Sequence, residues 1–187
     1  MKHALLIGLL AFAWGCGTEQ VKSPGPSEPP PLRAEKPADP EHKLYEQVRS
    51  GTVQLGGGSD DIEEALRAVE GLLKTVPKEN KDALTDAKAL IDSAGAGIAD
   101  YTEEVPEFEQ FKNRLAEFDD QRLKAIQETN DSIHDLREAK GIVESLEGSG
   151  TGNLTSQLED LAALIDVAIS DLSDAVTTMG GTVEQEQ

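Results

Sequence analysis

Cysteine is nearly absent: the chain of 187 residues has one, Cys16. One thiol excludes an internal disulfide framework and any four-cysteine zinc site. Aromatic residues make up 4% of the chain, too few to line a deep pocket with rings. Cations are scarce, with 17 Lys and Arg against 36 Asp and Glu and a net charge of -19. Such a chain lacks the basic patch that phosphates require, so nucleic acid is not an expected partner. Histidine occurs only at His3, His42 and His134. Long apolar runs are missing too. The run over residues 4–14 has eleven uncharged residues, where a bilayer core needs roughly 20.

What is present begins with that run. It follows the basic start Met1-Lys2-His3 and suits the apolar region of a secretory signal peptide. Ala13-Trp14-Gly15-Cys16 comes next. This resembles the lipobox of bacterial lipoproteins, in which small residues precede a cysteine that receives lipid and becomes the mature N-terminus. Gly15 and Cys16 match, Ala13 replaces the usual leucine, and Trp14 is larger than the usual residue. The resemblance implies a signal peptide over 1–15, lipidation of Cys16 and a location in the cell envelope. Acyl chains adhere at ~0.8 kcal/mol per buried methylene, and two or more give stable anchoring. Gly17, where an aspartate would signal retention at the inner membrane, favours an outer membrane in cells that have one.

Seven of the nine prolines fall within residues 24–40. Proline fixes φ and removes donors, so residues 16–40 are expected to form a disordered tether. Charge divides the chain at the same place. Residues 1–40 carry four basic and four acidic side chains, whereas 41–187 carry 13 basic and 32 acidic. No Lys or Arg follows Lys140, while nine acids do.

Periodicity predicts helix throughout 41–181. Ile62, Leu66, Val69, Leu73 and Val76 mark a helix over about 60–76, with Ser59 or Asp60 as its cap and Gly56-Gly57-Gly58 as a flexible lead-in. Leu44, Tyr45 and Val48 fall together and admit a short separate helix over 41–49. Leu84, Ala87, Ile91, Ala94, Ile98, Tyr101 and Val105 mark 80–104. There Gly95-Ala96-Gly97 reads equally as a break or as a close helix crossing. A third helix is expected over 106–147. Its aromatic stripe, Phe108, Phe111, Leu115 and Phe118, is expected to build the main core with the first helix. A second stripe, Ile126, Ile133, Leu136, Val143 and Leu146, follows after what reads as a stutter. Gly148 to Asn153 is a helix–helix turn. Leu154, Leu158, Leu161, Ile165, Ala168, Leu172, Ala175 and Met179 then form a heptad over about 153–179. Gly180-Gly181 stops it, and 182–187 reads as a disordered tail. The expected fold is all-α, an elongated bundle of four main helices with coiled-coil character behind the tether. The distal part of the third helix is expected to be covered by the fourth.

Chemistry is sparse. Asp131 lies one turn before His134, an acid-x-x-His spacing that resembles half of a ferritin-like metal motif. That motif needs glutamate, a second copy and further inward carboxylates. His134 therefore reads as a solvated or capping residue, and no metal is assigned. No nucleophile with its base appears, so no catalytic residue and no cofactor are assigned, and the chain is not read as an enzyme. The fourth helix is apolar beyond one seam. Leu164, Val167 and Ile169 flank it and are the expected meeting surface for a protein partner or a second copy. The expected function is a membrane-tethered, non-enzymatic interaction or scaffolding lipoprotein of the bacterial envelope, held by its N-terminal lipid. The alternative is a helical-bundle carrier or sensor for a small ligand or metal.

Overall fold

The computed structural model describes residues 39–148 and 152–184. The expected signal segment, Cys16 and nearly all of the tether lie outside the described residues. Five helices form: α1 Pro40–Thr75, α2 Lys81–Ile98, α3 Phe108–Lys112, α4 Leu115–Glu147 and α5 Asn153–Thr178. No strand occurs among the described residues. The four long helices make an up-down-up-down bundle. Each packs against its neighbour in sequence, and α5 closes the ring on α1. Antiparallel pairing brings Gly58 beside Leu172 and Ser132 beside Ala94.

The first helix corrects the sequence reading. α1 starts at Pro40, capped by the Asp39 carboxylate, which accepts the Glu41 N–H at 3.2 Å. It then runs unbroken through Gly56-Gly57-Gly58 to Thr75, so the triplet is no lead-in and 41–49 is no separate helix. Glycine costs a helix about 1 kcal/mol per residue relative to alanine. Packing overrides this cost here. The buried stripe Val48, Gly51, Leu55, Gly58, Ile62, Ala65, Val69 keeps helical period straight through the glycines. A Cβ on Gly58 would stand 2.5 Å from Leu172 Cδ2, and one on Gly51 would meet Met179. The bare positions let α1 close on α5. Val76 is extended ahead of Pro77, which ends the helix.

α2 stops at Ile98, followed by a 3-10 turn over Ala99–Tyr101, rather than continuing to 104. Val105 precedes Pro106 and is disfavoured in helix. Gly95 and Gly97 lie inside continuous helix. A Cβ on Gly97 would be 2.8 Å from Ser132 Oγ, so the glycines serve a close crossing. The third predicted helix divides at Asn113 and Arg114 into α3 and α4. There is no stutter beyond it. The buried row runs Phe118, Ala125, Thr129, Ser132, Leu136, Ala139, Val143 without a shift. Its two hydroxyls are satisfied: Thr129 donates to the Ala125 carbonyl at 2.5 Å and Ser132 to the Ala94 carbonyl at 2.9 Å.

The main core is aliphatic. Leu84, Ile91 and Ile98 of α2 meet Ile133, Leu136 and Val143 of α4 and the α5 heptad in one buried cluster. Thus α2 and α5 together cover distal α4, which was expected to fall to the last helix alone. The aromatics do not build the main core with the 60–76 stretch; they meet the N-terminal part of α1 in a separate small cluster. Tyr45, Val48, Phe111 and Phe118 are buried there, with Phe108 against them. Phe111 stacks on Phe118 at 4.5 Å, and Tyr45 meets Phe111 edge-on at 5.2 Å.

The tail is also tied down as far as it is described. Gly180, at φ +84, reverses the chain; its N–H donates to the Thr177 carbonyl and that of Gly181 to the Val176 carbonyl. Asn130 on α4 then clasps the returning chain, donating to the Thr182 carbonyl and accepting from the Glu184 N–H, both at 3.2 Å.

Candidate binding groove

The groove follows from helix lengths. At 1.5 Å per residue, α1 runs ~54 Å and α2 only ~27 Å. Below the end of α2 the ring lacks its fourth member, and residues 102–107 cross the gap as an irregular strap. A half-open cavity of about 570 Å³ remains between the strap, α1 and the start of α4. Val48, Leu55, Phe118, Ala125 and Met179 give it apolar lining.

Charges sit on two of its walls. Asp100, Glu103 and Glu104 come from the 3-10 turn after α2 and from the strap; Arg114, Arg122 and Lys124 come from the approach to α4 and its first turns. Two of these cations are already engaged. Arg114 Nε donates to Glu117 Oε2 at 2.7 Å, and the guanidinium lies 5.1 Å over the Phe118 ring. That hydrogen bond holds the Glu117 carboxyl below its ordinary range. Arg122, only 15% exposed, donates to Asp119 Oδ1 at 2.9 Å and to the Met179 carbonyl at 2.6 Å. Lys124, Asp100, Glu103 and Glu104 make no ion pair among the described residues. Burial first, then the charges of Glu128 and Asp100, raise the Tyr101 phenol.

A second feature is an acidic band across α1 and α5. α5 carries Glu159, Asp160, Asp166, Asp171 and Asp174 and no cation. Asp171 faces Asp61, whose neighbours Asp60 and Glu64 add to the field. Burial first, then Asp171, raise the Asp61 carboxyl above its ordinary value. One cation reaches the band from α4: Lys140, 2.8 Å from Asp166.

The residues singled out in the sequence do not assemble into one site. His134 is exposed on α4, with Asp131 also exposed. No group of three or more His, Cys, Asp or Glu positioned for a metal occurs among the described residues. Leu164 and Ile169 are half-buried against the main core, while Val167 is 49% exposed. Two of those three flanking side chains are thus largely covered within the chain. The sequence reading missed the groove because it carried the second helix to 104. Val105-Pro106 bars helix only from 105 onward, and no residue pattern marks the earlier stop at Ile98. Comparison with protein-family models, curated proteins and solved structures finds no match to this chain.

Proposed function

We propose that this chain is a lipid-anchored, non-enzymatic interaction module of the bacterial cell envelope. Its tether carries an acidic helical bundle to a basic protein partner. The observation that supports this reading most is the band on α1 and α5. Five carboxylates lie on α5, which has no cation of its own, and one of them, Asp171, faces an acidic stretch of α1. Like charges so gathered oppose folding and attract a basic surface. The anchor rests on Cys16 and its lipobox-like context. No helix among the described residues is long and apolar enough to cross a membrane.

The test is photo-crosslinking in intact cells from Asp160 and Asp174. A basic protein should be captured from both positions, and Glu159→Lys with Asp171→Lys should abolish capture. Capture that survives charge reversal would sink the reading. For the anchor, Cys16→Ser should move the protein out of the membrane fraction and end fatty-acid labelling; retention with labelling would refute it. A second reading, a carrier or sensor for a small ligand, is favoured by the groove beneath α2.

A further inference from the structure

We propose that this groove binds a small organic cation with an apolar body, which gives the carrier reading its ligand class. Size comes first. About 570 Å³ lies within the ~300–1,000 Å³ typical of small-molecule sites. The strap over 103–106 lines the gap where α2 would have continued. A volume of about 570 Å³ would hold little more than one turn of a helix ~10 Å across. The gap therefore suits a small molecule rather than a partner helix.

Charge selects the sign. Glu117 and Asp119 neutralise Arg114 and Arg122. That leaves Asp100, Glu103 and Glu104 unpaired against one unpaired ammonium, Lys124. The free charge of the lining is negative, in a chain whose net charge as a whole is -19. An anion would meet this field without a free guanidinium to receive it. A bare inorganic cation would gain nothing from Val48, Leu55 and Ala125. A ligand with both an ammonium and an apolar body satisfies both walls.

The experiment uses the full chain carrying Cys16→Ser, so that no acyl chain competes for the groove. Benzyltrimethylammonium is the probe, followed by amide shifts in NMR and by calorimetry at low salt. Saturable binding with shifts at Val48, Phe118 and Ala125 is expected. Glu103→Gln with Glu104→Gln should weaken it about tenfold, and Lys124→Met should tighten it a few-fold. Ala125→Phe should block it by filling the floor. If that variant fails to fold, the two charge variants still decide. Equal binding of benzenesulfonate would overturn the proposal. So would tetramethylammonium binding as tightly as the probe, since that would be counter-ion condensation on an acidic surface. Because this readout does not involve the acidic band, its failure leaves the protein-partner reading to its own test.

Discussion

Asp61 and Arg122 show what single side chains contribute. Asp61 has its carboxyl raised above the ordinary 3.8, by burial first and then by Asp171. The native state therefore holds this proton to higher pH than the unfolded chain does. Stability linked to Asp61 is present below pH 3.8 and is lost as pH rises through the raised native value. This is the reverse of a salt-bridged carboxylate. Asp61→Asn removes the repulsion and should stabilise the fold at pH 7 by about 0.5 kcal/mol, as for other like-charge pairs. That is a rise of roughly 1–2 °C in Tm for a domain of this size. At pH 3 the gain should vanish, and melts at the two pH values check both statements. Arg122 acts differently. It ties Asp119 and the Met179 carbonyl together from a mostly buried position. Arg122→Ala leaves that carbonyl unpaired and should cost about 1–3 kcal/mol. Hydrogen exchange should then rise at Gly180 to Glu184, where the tail folds back along α4.

At the scale of elements, α1 poses the sharpest question, because its helix holds in spite of its composition. Gly56 has nothing within 4 Å of a built Cβ, whereas Gly58 would press on Leu172. Gly56→Ala should therefore stabilise by about 1 kcal/mol through propensity alone. Gly58→Val should destabilise by about 1–3 kcal/mol through overpacking. Opposite shifts in Tm two residues apart would establish that packing on α5, not propensity, holds this stretch helical. The same contrast explains what was legible in the sequence. The α5 heptad could be read directly, because Leu158, Leu161, Ile165, Ala168 and Leu172 are large or helix-favouring and all are buried. The glycine triplet of α1 read as a loop because the contribution of Gly58 is absence of bulk, visible only once Leu172 stands opposite. Thr129 and Ser132 hid the continuous row of α4, since polar side chains at core positions look like the wrong face. The groove was hidden for another reason: it belongs to no residue pattern, but to α2 being half the length of α1.

For the whole molecule, charge sets folding against the proposed binding, and salt separates them. Residues 41–187 hold 32 acids against 13 bases. The ion pairs that span helices, Lys88–Glu70 at 3.6 Å, Lys112–Glu41 at 3.4 Å and Lys140–Asp166 at 2.8 Å, are partly exposed. Exposed pairs contribute about 0–1 kcal/mol each, and salt weakens them. Repulsion among the surplus carboxylates is spread over the surface and is screened as well. The screening length is ~10 Å at 0.1 M salt and ~3 Å at 1 M. With an acid excess this large, the loss of repulsion outweighs the loss of three pairs. Tm should therefore rise by a few degrees between 0.02 M and 0.5 M sodium chloride. The proposed attraction of a basic partner to the α1–α5 band would come from the same carboxylates and should weaken over that range. Calorimetric melts measured alongside crosslink yield from Asp174 should thus move in opposite directions. A Tm that falls with salt would mean that the cross-helix pairs, not the surplus acids, dominate the electrostatics of the bundle, and the band would lose its standing as a surface held at a cost to the fold.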